Sequence, residues 1–235
     1  MASPTRLDKA VSQVTDLSRS DAKRAAKAQR ISVNGEVVTD PAAKVQTSDA
    51  LCLDGGPLLK PGPCYIMLNK PLGYVSATKD PEHPTVLDLI DEPNKGRLHI
   101  AGRLDIDTTG LVLLTDDGQW SHKVTSPTYH CEKTYYVQLA DRIEEAAVAK
   151  VARGIWLKNE KRRTKPARLE ILFANEVRIT IGEGRYHQVK RMFAALGNKV
   201  LVLHREKIGD IPLDEGLREG EYRLLTPDEI ASVKK

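Results

Sequence analysis

The chain reads Gly102-Arg103-Leu104-Asp105-Ile106-Asp107-Thr108-Thr109-Gly110-Leu111-Val112-Leu113-Leu114-Thr115 through the stretch that decides its fold. A loop with one arginine and two aspartates leads directly into an apolar run, and that run predicts a buried strand. A carboxylate at the entrance of a rigid strand suits a nucleophile or a base, so Asp105 is the first catalytic candidate. The alternative, more common for an arbitrary aspartate, is a turn in which the carboxylates bond backbone amides.

Around this stretch, apolar runs and turn signals predict a sheet with helices packed on it. Strands are predicted at residues 64–69, 110–115, 133–139, 168–173, 177–181 and 200–204, and helices at 143–153, at 187–196 and after 226. Residues 174–176 are few enough to join two strands as a hairpin. Because hairpins outnumber strand–helix–strand units, we expect an α+β fold with a mixed, largely antiparallel sheet.

Residues 6–55 predict a separate small basic unit. Apolar residues at helical spacing predict a helix over 7–14, and Ser18 is a suitable N-cap for a second helix. Asn34-Gly35 between two short apolar runs predicts a hairpin. The cations along one side of the second helix are Arg19, Lys23, Lys27 and Arg30. We predict that this stripe binds phosphates because its face carries almost no acid; the alternative is a solvated helix face.

Residues 54–63 are dense in glycine and proline, which is typical of a linker. We therefore predict two domains, residues 1–59 and 60–235. The chain of 235 residues is 40% hydrophobic and carries a net charge of +4, with a mean hydropathy of −0.39. It contains no apolar run of membrane-spanning length and no signal-peptide pattern, so we expect a cytoplasmic protein with no membrane partner. Scattered cysteines and histidines and the lack of a glycine-rich phosphate loop predict no disulfide, no metal and no cofactor.

Two further segments carry candidate chemistry. In residues 133–139 the strand period of two places Tyr135, Val137 and Leu139 on one face and Tyr136 on the other, so one tyrosine should face the interior or a cleft. Tyr135 is the candidate, either as a core aromatic or as a ring on which a base stacks. In the predicted helix after Gly184, Lys190 lies beside the apolar face, where a lysine needs a carboxylate partner. If that partner is Asp105, the cation favours the ionised carboxylate; the alternative is a basic helix that only binds RNA phosphates.

The three segments, in this order, resemble the signature motifs of pseudouridine synthases. The matching residues are Gly102-Arg103-Leu104-Asp105 with Thr109-Gly110-Leu111, Lys133-Thr134-Tyr135, and Gly184-Arg185-Tyr186-His187-Gln188-Val189-Lys190-Arg191. Asn69-Lys70-Pro71-Leu72-Gly73-Tyr74 is similar to the strand and turn that open the family's catalytic domain. The first unit resembles the S4 RNA-binding domain, in Ser18-Arg19-Ser20 and Ile31-Ser32-Val33-Asn34-Gly35. Together the resemblances cover nearly the whole chain.

The resemblance implies a role for each matching residue. Asp105 is the expected nucleophile, Tyr135 stacks on the flipped uracil, and Lys190 pairs with Asp105. Arg103 is the expected wedge that fills the gap left by the base. The other residues predicted to bind RNA are Arg19, Lys23, Lys27, Arg30, Arg185, His187, Gln188 and Arg191. Isomerisation of uridine involves no redox change, which agrees with the expectation of no cofactor.

Within the family, the resemblance is greatest to enzymes that modify one uridine, position 516, of 16S ribosomal RNA. It implies 16S ribosomal RNA or a small-subunit assembly intermediate as the partner, and we expect a monomer. Two alternatives stay open: a synthase that acts on 23S ribosomal RNA, and an S4-type RNA-binding protein without activity. The sequence does not choose between attack of Asp105 on the ribose and attack on the uracil ring.

Overall fold

The computed structural model describes residues 4–15, 17–46, 48–58, 62–92, 95–129 and 131–233. The chain forms two compact units, Met1–Gly62 and Pro63–Lys235. The predicted boundary between residues 59 and 60 lies outside the described residues, and separate folding of the two parts stays a prediction. Across the described ranges, no helix combines the length and the apolar character needed to cross a membrane.

The first unit packs two short helices beside small antiparallel sheets. Its elements are β1 (Thr5–Arg6), α1 (Leu7–Ser12), α2 (Arg19–Lys27), β2 (Ile31–Val33), β3 (Glu36–Val37), β4 (Lys44–Val45), β5 (Leu51–Leu53) and β6 (Gly56–Leu58). The Ser18 hydroxyl accepts a hydrogen bond from the amide of Asp21, so the predicted cap of α2 is confirmed. Asn34 and Gly35 both have positive φ and join β2 to β3, which confirms the hairpin.

The linker prediction is wrong for part of its length. Asp54 and Gly55 both have positive φ and form a tight turn. After that turn, β6 pairs antiparallel with β5. Glycine and proline in this segment therefore serve a hairpin and an edge strand, where a proline without an amide hydrogen is tolerated.

The second unit is a mixed sheet with helices packed on it. Its elements are β7 (Tyr65–Lys70), β8 (His99–Ala101), β9 (Thr109–Thr115), α3 (Gly118–Thr125), β10 (Lys133–Leu139), α4 (Ala146–Ala152), β11 (Arg168–Phe173), β12 (Glu176–Ile181), α5 (Gln188–Ala195), β13 (Val200–Ile208), β14 (Ile211–Pro212), β15 (Tyr222–Leu224) and α6 (Pro227–Ser232). The strand order is β11-β12-β10-β13-β9-β7-β15, with β14 beside β13 and β8 beside β9. Among the described strands of this sheet, only β13 and β9 pair in parallel, so the largely antiparallel sheet is confirmed.

Several boundaries differ from the prediction. Strand β13 continues to Ile208, four residues beyond the predicted end. Helix α4 begins at Ala146, because the amide of Ile143 donates to the carbonyl of Ala174 and holds the preceding residues in a turn. Helix α3 was not predicted; Asp117 caps it by accepting from the amides of two residues in its first turn. The predicted capping box of α6, formed by Thr226 and Glu229, is confirmed.

The central strand β9 positions the site. All seven of its residues are buried, and its neighbours are β7 on one side and β13 on the other. A strand buried on both faces is a rigid base. The loop of residues 102–108 leads into it, so that loop is attached to the best-packed part of the sheet.

Candidate active site

The loop that carries Asp105 is held by hydrogen bonds from the end of β7 and from the segment that follows it. The Ser76 hydroxyl accepts from the amide of Leu104 at 3.0 Å. The ammonium of Lys70 donates to the carbonyl of Thr108 at 2.8 Å. The amide of Gly73 donates to the carbonyl of Ile106 at 2.9 Å. With its backbone anchored in this way, the loop can present the Asp105 side chain in one position.

Two side chains from the α5 region face the Asp105 carboxylate. Lys190 Nζ lies 3.3 Å from Oδ2, so the predicted pairing is present, and His187 Nε2 lies 3.3 Å from Oδ1. Lys190 is shared with Asp107, whose Oδ1 is 2.5 Å from Nζ. Burial raises the pKa of Asp107, but the hydrogen bond and charge of Lys190 outweigh it and leave that pKa below its usual value. The site thus holds two carboxylates around one ammonium.

The approach of His187 to Asp105 depends on an unusual backbone conformation. His187 precedes α5 with φ of 47°, in the left-handed region that is uncommon for residues other than glycine. Its ring stacks on Tyr186 with centroids 3.8 Å apart. The Tyr186 side chain is 77% exposed. This turn therefore directs Nε2 of His187 to the Asp105 carboxylate and stacks the exposed Tyr186 ring on the imidazole.

Three of the residues predicted to bind RNA near α5 are engaged with the protein itself. Gln188 is 4% exposed, and its amide side chain bonds the backbone of Arg185 and the carboxylate of Glu183. Arg185 and Arg191 donate to backbone carbonyls and lie 3.6 and 3.0 Å from the Glu160 carboxylate. These contacts favour a structural role for Gln188, whereas both arginines keep partly exposed side chains.

Tyr135 faces inward, as the strand period predicts, and it meets a residue that the sequence analysis missed. Its ring is 8% exposed, and Arg205 is 2% exposed. The hydroxyl of Tyr135 accepts from Arg205 at 3.4 Å, and the guanidinium carbon lies 5.9 Å from the ring centroid. The same guanidinium donates to the carbonyls of Gly102, Arg103 and Leu111. Arg205 therefore joins Tyr135 to the loop that carries Asp105.

Gly110 explains how Arg205 reaches that loop. In the parallel pairing of β13 with β9, Arg205 is opposite Gly110. Gly110 has φ of +100°, and a Cβ there would collide with the backbone of Arg205. This glycine thus permits the close approach of the two strands.

Lys70 is a second buried cation that the sequence analysis did not single out. It is fully buried and donates to the carbonyls of Pro71 and Thr108. Burial lowers the pKa of Lys70 to about 8, although the charges of Asp107 and Asp105 act in the opposite direction. Its position could have been suspected, since Lys70 and Arg205 each lie two residues beyond a buried leucine on the same strand face.

In the first unit, the prediction of one helix stripe without compensating acid is wrong. Helix α2 ends at Lys27, so Arg30 lies beyond it, and three of the four cations have an acidic partner. The carboxylate of Asp8 is fully buried and lies 3.3 Å from Arg19 and 4.0 Å from Lys23. Asp54 pairs with Arg30 at 2.6 Å. Both acids are distant in sequence from the helix face, so helical spacing could not reveal them. Of the four predicted cations, Lys27 alone has no acidic partner among the residues that the structure describes.

Arg103 is exposed at the start of the loop. Its backbone carbonyl accepts a hydrogen bond from Arg205. The structure thus brings Asp105, Lys190 and His187 into contact, and connects Tyr135 to their loop through Arg205.

Comparison with known proteins shows the family to which the chain belongs. Residues 64–195 match the family model for RNA pseudouridylate synthase, and residues 5–51 match that for the S4 domain. Ribosomal small subunit pseudouridine synthase A of Salmonella typhimurium is 57% identical over 97% of this chain and 99% of its own. The proteins of the same name from Escherichia coli K12 and Haemophilus influenzae are 56% and 54% identical, over 97% and 98% of this chain and 99% and 100% of theirs. A crystal structure of a pseudouridylate synthase superposes with a TM-score of 0.72 at 53% identity, over 97% of this chain and 99% of that one.

Proposed function

Because the chain belongs to the RNA pseudouridylate synthase family, we propose that it converts one uridine of small-subunit ribosomal RNA to pseudouridine. The proposed target is uridine 516 of 16S ribosomal RNA, in free RNA or in an assembly intermediate. Support comes from three relatives named for the ribosomal small subunit, which match nearly the whole chain. We also propose that the enzyme is monomeric and works in the cytoplasm.

The observation that carries the proposal is the carboxylate of Asp105 between Lys190 and His187. In the reaction, the N1–C1′ bond of uridine breaks, the uracil turns, and a C5–C1′ bond forms; the proton on C5 is lost and N1 gains one. A carboxylate held by the Lys190 ammonium on a rigid loop can supply the nucleophile for this exchange. Attack on the ribose and attack on the uracil ring both remain compatible with its position.

The uracil must leave its stack before any group can reach it, as for other enzymes that act on bases. Arg103 is the proposed wedge, because it is exposed in the same loop that carries Asp105. Tyr135 is the proposed stacking partner of the flipped uracil. Since Tyr135 is only 8% exposed, the flipped base must reach below the surface to meet it. Arg205 then fixes both the tyrosine hydroxyl and the loop of Asp105.

Tritium release from 16S ribosomal RNA labelled at C5 of uridine tests the activity. The wild-type protein should release tritium, and Asp105→Asn should release none while it still binds the RNA, because the amide keeps the shape and loses the charge. Asp107→Asn is the matched control, since Asp107 contacts the same lysine and its side chain is 66% exposed. Release by purified Asp105→Asn would contradict the nucleophile role.

Mapping of pseudouridines in both ribosomal RNAs of a deletion strain tests the substrate. The proposal expects one pseudouridine to disappear, at position 516 of 16S RNA, and to return with the wild-type gene. Loss of a site in 23S RNA would contradict it. If no site were lost, an RNA-binding role without catalysis would explain the protein better.

A further inference from the structure

Residues 154–165, between α4 and β11, form a closed loop with a defined backbone. The amide of Ile155 donates to the Thr164 hydroxyl, and the amide of Thr164 donates to the carbonyl of Ile155, both at 2.9 Å. Gly154 has φ of +81°, and a Cβ there would collide with the carbonyl of Thr164. Ile155, Leu157 and Thr164 are buried, so the loop is built into the unit at its base.

The loop carries more positive charge than its single acid can balance. It contains five cations and one acid. The Glu160 carboxylate lies 3.0 Å from Arg191 and 3.6 Å from Arg185, both outside the loop. The exposed cations of the loop are Lys158, Lys161, Arg162 and Arg163. None of these four pairs with an acid in the part of the chain that the structure describes, so the loop surface is strongly basic.

Trp156 stands on this basic surface. Its side chain is 54% exposed, and the guanidinium carbon of Arg163 lies 5.7 Å from its ring centroid. A single exposed apolar residue is ordinary on a protein surface. An exposed aromatic ring among unpaired cations is instead the combination with which proteins hold single-stranded nucleic acid, by stacking bases and neutralising phosphates.

The loop is attached to the elements that form the candidate active site. Arg191 donates to the carbonyl of Lys158 at 2.8 Å. Arg185 donates to the carbonyls of Arg162 and Arg163 at 2.9 and 2.6 Å. Arg185 and Arg191 flank the segment that places His187 and Lys190 against Asp105. The loop is therefore fixed relative to the carboxylate, and its position beside the site is set by backbone contacts rather than by its own exposed side chains.

We propose that residues 154–165 are an RNA-binding arm of the enzyme. Lys161 and Arg162 contact phosphates of the substrate strand, and Trp156, supported by Arg163, stacks on an unpaired base near the uridine to be modified. This inference rests on the proposed function, since it assumes an RNA substrate at Asp105. In this proposal, the hydrogen bonds of Arg185 and Arg191 hold the arm in place.

The test measures binding of an unmodified 16S ribosomal RNA transcript over a series of salt concentrations. Lys161→Gln/Arg162→Gln should lower the slope of log K against log salt by about 0.7–0.9 for each phosphate that the variant no longer neutralises. Trp156→Ala should weaken binding by about 5- to 150-fold with little change of slope, the equivalent of removing one base stack, and Trp156→Phe should restore part of the affinity. Thermal unfolding of each variant should match the wild type, because these side chains are exposed.

The matched control is Lys150→Gln/Lys199→Gln, which removes two exposed cations from other parts of the same unit. It should leave the slope close to that of the wild type. Wild-type affinity in Trp156→Ala together with a wild-type slope in Lys161→Gln/Arg162→Gln would overturn the proposal. An equal fall of slope in the control would also overturn it, because the charge effect would then be general. Failure of the proposed function is detected separately, as absence of tritium release by the wild-type protein.

Discussion

The guanidinium of Arg205 donates a 2.7 Å hydrogen bond to the carbonyl oxygen of Gly102, three residues before Asp105. Arg205 is 2% exposed, and no carboxylate pairs with it among the residues that the structure describes. A charge buried in this way is costly unless several hydrogen bonds compensate it. Three backbone carbonyls and the Tyr135 hydroxyl provide those bonds, so the arginine is retained as a positioning residue for the candidate site.

Replacement of Arg205 should therefore reduce catalysis more than RNA affinity. Arg205→Met leaves the carbonyls of Gly102, Arg103 and Leu111 without this donor, at a cost of about 1–3 kcal/mol for each group that stays buried and unpaired. Displacement of the loop should lower the single-turnover rate roughly 100-fold. Arg205→Lys keeps the charge but loses the planar guanidinium. Its single-turnover rate should therefore lie between those of the wild type and Arg205→Met. Chemical unfolding and single-turnover kinetics at saturating RNA measure both effects; a rate unchanged in a destabilised protein would argue against positioning.

Lys190 should affect the chemical step, because it contacts the carboxylates of both Asp105 and Asp107. Lys190→Met keeps much of the stem and removes the charge, so the single-turnover rate should fall at least about tenfold, a loss of roughly 1.4 kcal/mol of transition-state stabilisation. Lys190→Arg should retain more activity, since the cation remains. Asp107→Asn should change the rate much less. If Lys190→Met weakened RNA affinity but left the saturated rate at the wild-type value, Lys190 would be a phosphate contact only.

Asp8 should make the first unit sensitive to acid. The hydrogen bond from Arg6 is the largest cause that lowers the pKa of Asp8 from 3.8 to about 2, against the opposing effect of burial. Because the folded-state pKa is depressed, this stabilisation is complete above about pH 4 and is lost as the pH falls through about 2. Asp8→Asn lacks it throughout and should destabilise the unit by about 1.5–3 kcal/mol at neutral pH.

Hydrogen exchange of peptides from residues 4–27 measures this difference. Protection in the wild type should exceed that in Asp8→Asn at pH 5, and the two should converge as the pH approaches 2. Peptides from the second unit provide the internal control. A gap between wild type and variant that stayed constant over this range would show that the carboxylate charge is not the cause.

The four cations Arg19, Lys23, Lys27 and Arg30, of which the first three lie on α2, should contribute unequally to RNA binding. Arg19 and Lys23 share Asp8, and Arg30 pairs with Asp54, so part of their charge is already compensated. Lys27→Gln should lower the slope of log K against log salt by about 0.7–0.9, the effect of one phosphate contact. Arg30→Gln should lower it less. Lys44→Gln, an exposed lysine on β4, is the control and should have the wild-type slope. A wild-type slope in Lys27→Gln would favour the alternative, that these cations form a solvated surface that does not bind phosphates.

Local signals in the sequence were sufficient for much of the fold. The Asn34-Gly35 turn, the cap at Ser18 and the capping box at Thr226 each depend on residues within four positions of one another. The strand period alone places Tyr135 on the same face as Val137 and Leu139, and that face is the buried one. Helix α3 was missed although Asp117 caps it, because a single N-cap residue without a capping box is a weak signal.

By itself, the sequence predicted which segments carry the candidate chemistry and that a cation should meet Asp105. Tertiary structure alone decided how that cation is shared with Asp107, how His187 reaches the same carboxylate, and how buried Asp8 and Arg205 are compensated. The physical reason is the range of the interactions. Caps and strand periods are fixed by neighbours in the chain, whereas Arg205 meets Gly102 only after β13 pairs in parallel with β9, across about a hundred residues of intervening chain. The hydrogen-bond partners of a buried charge are the groups that strand packing brings close to it, and no local sequence pattern encodes them.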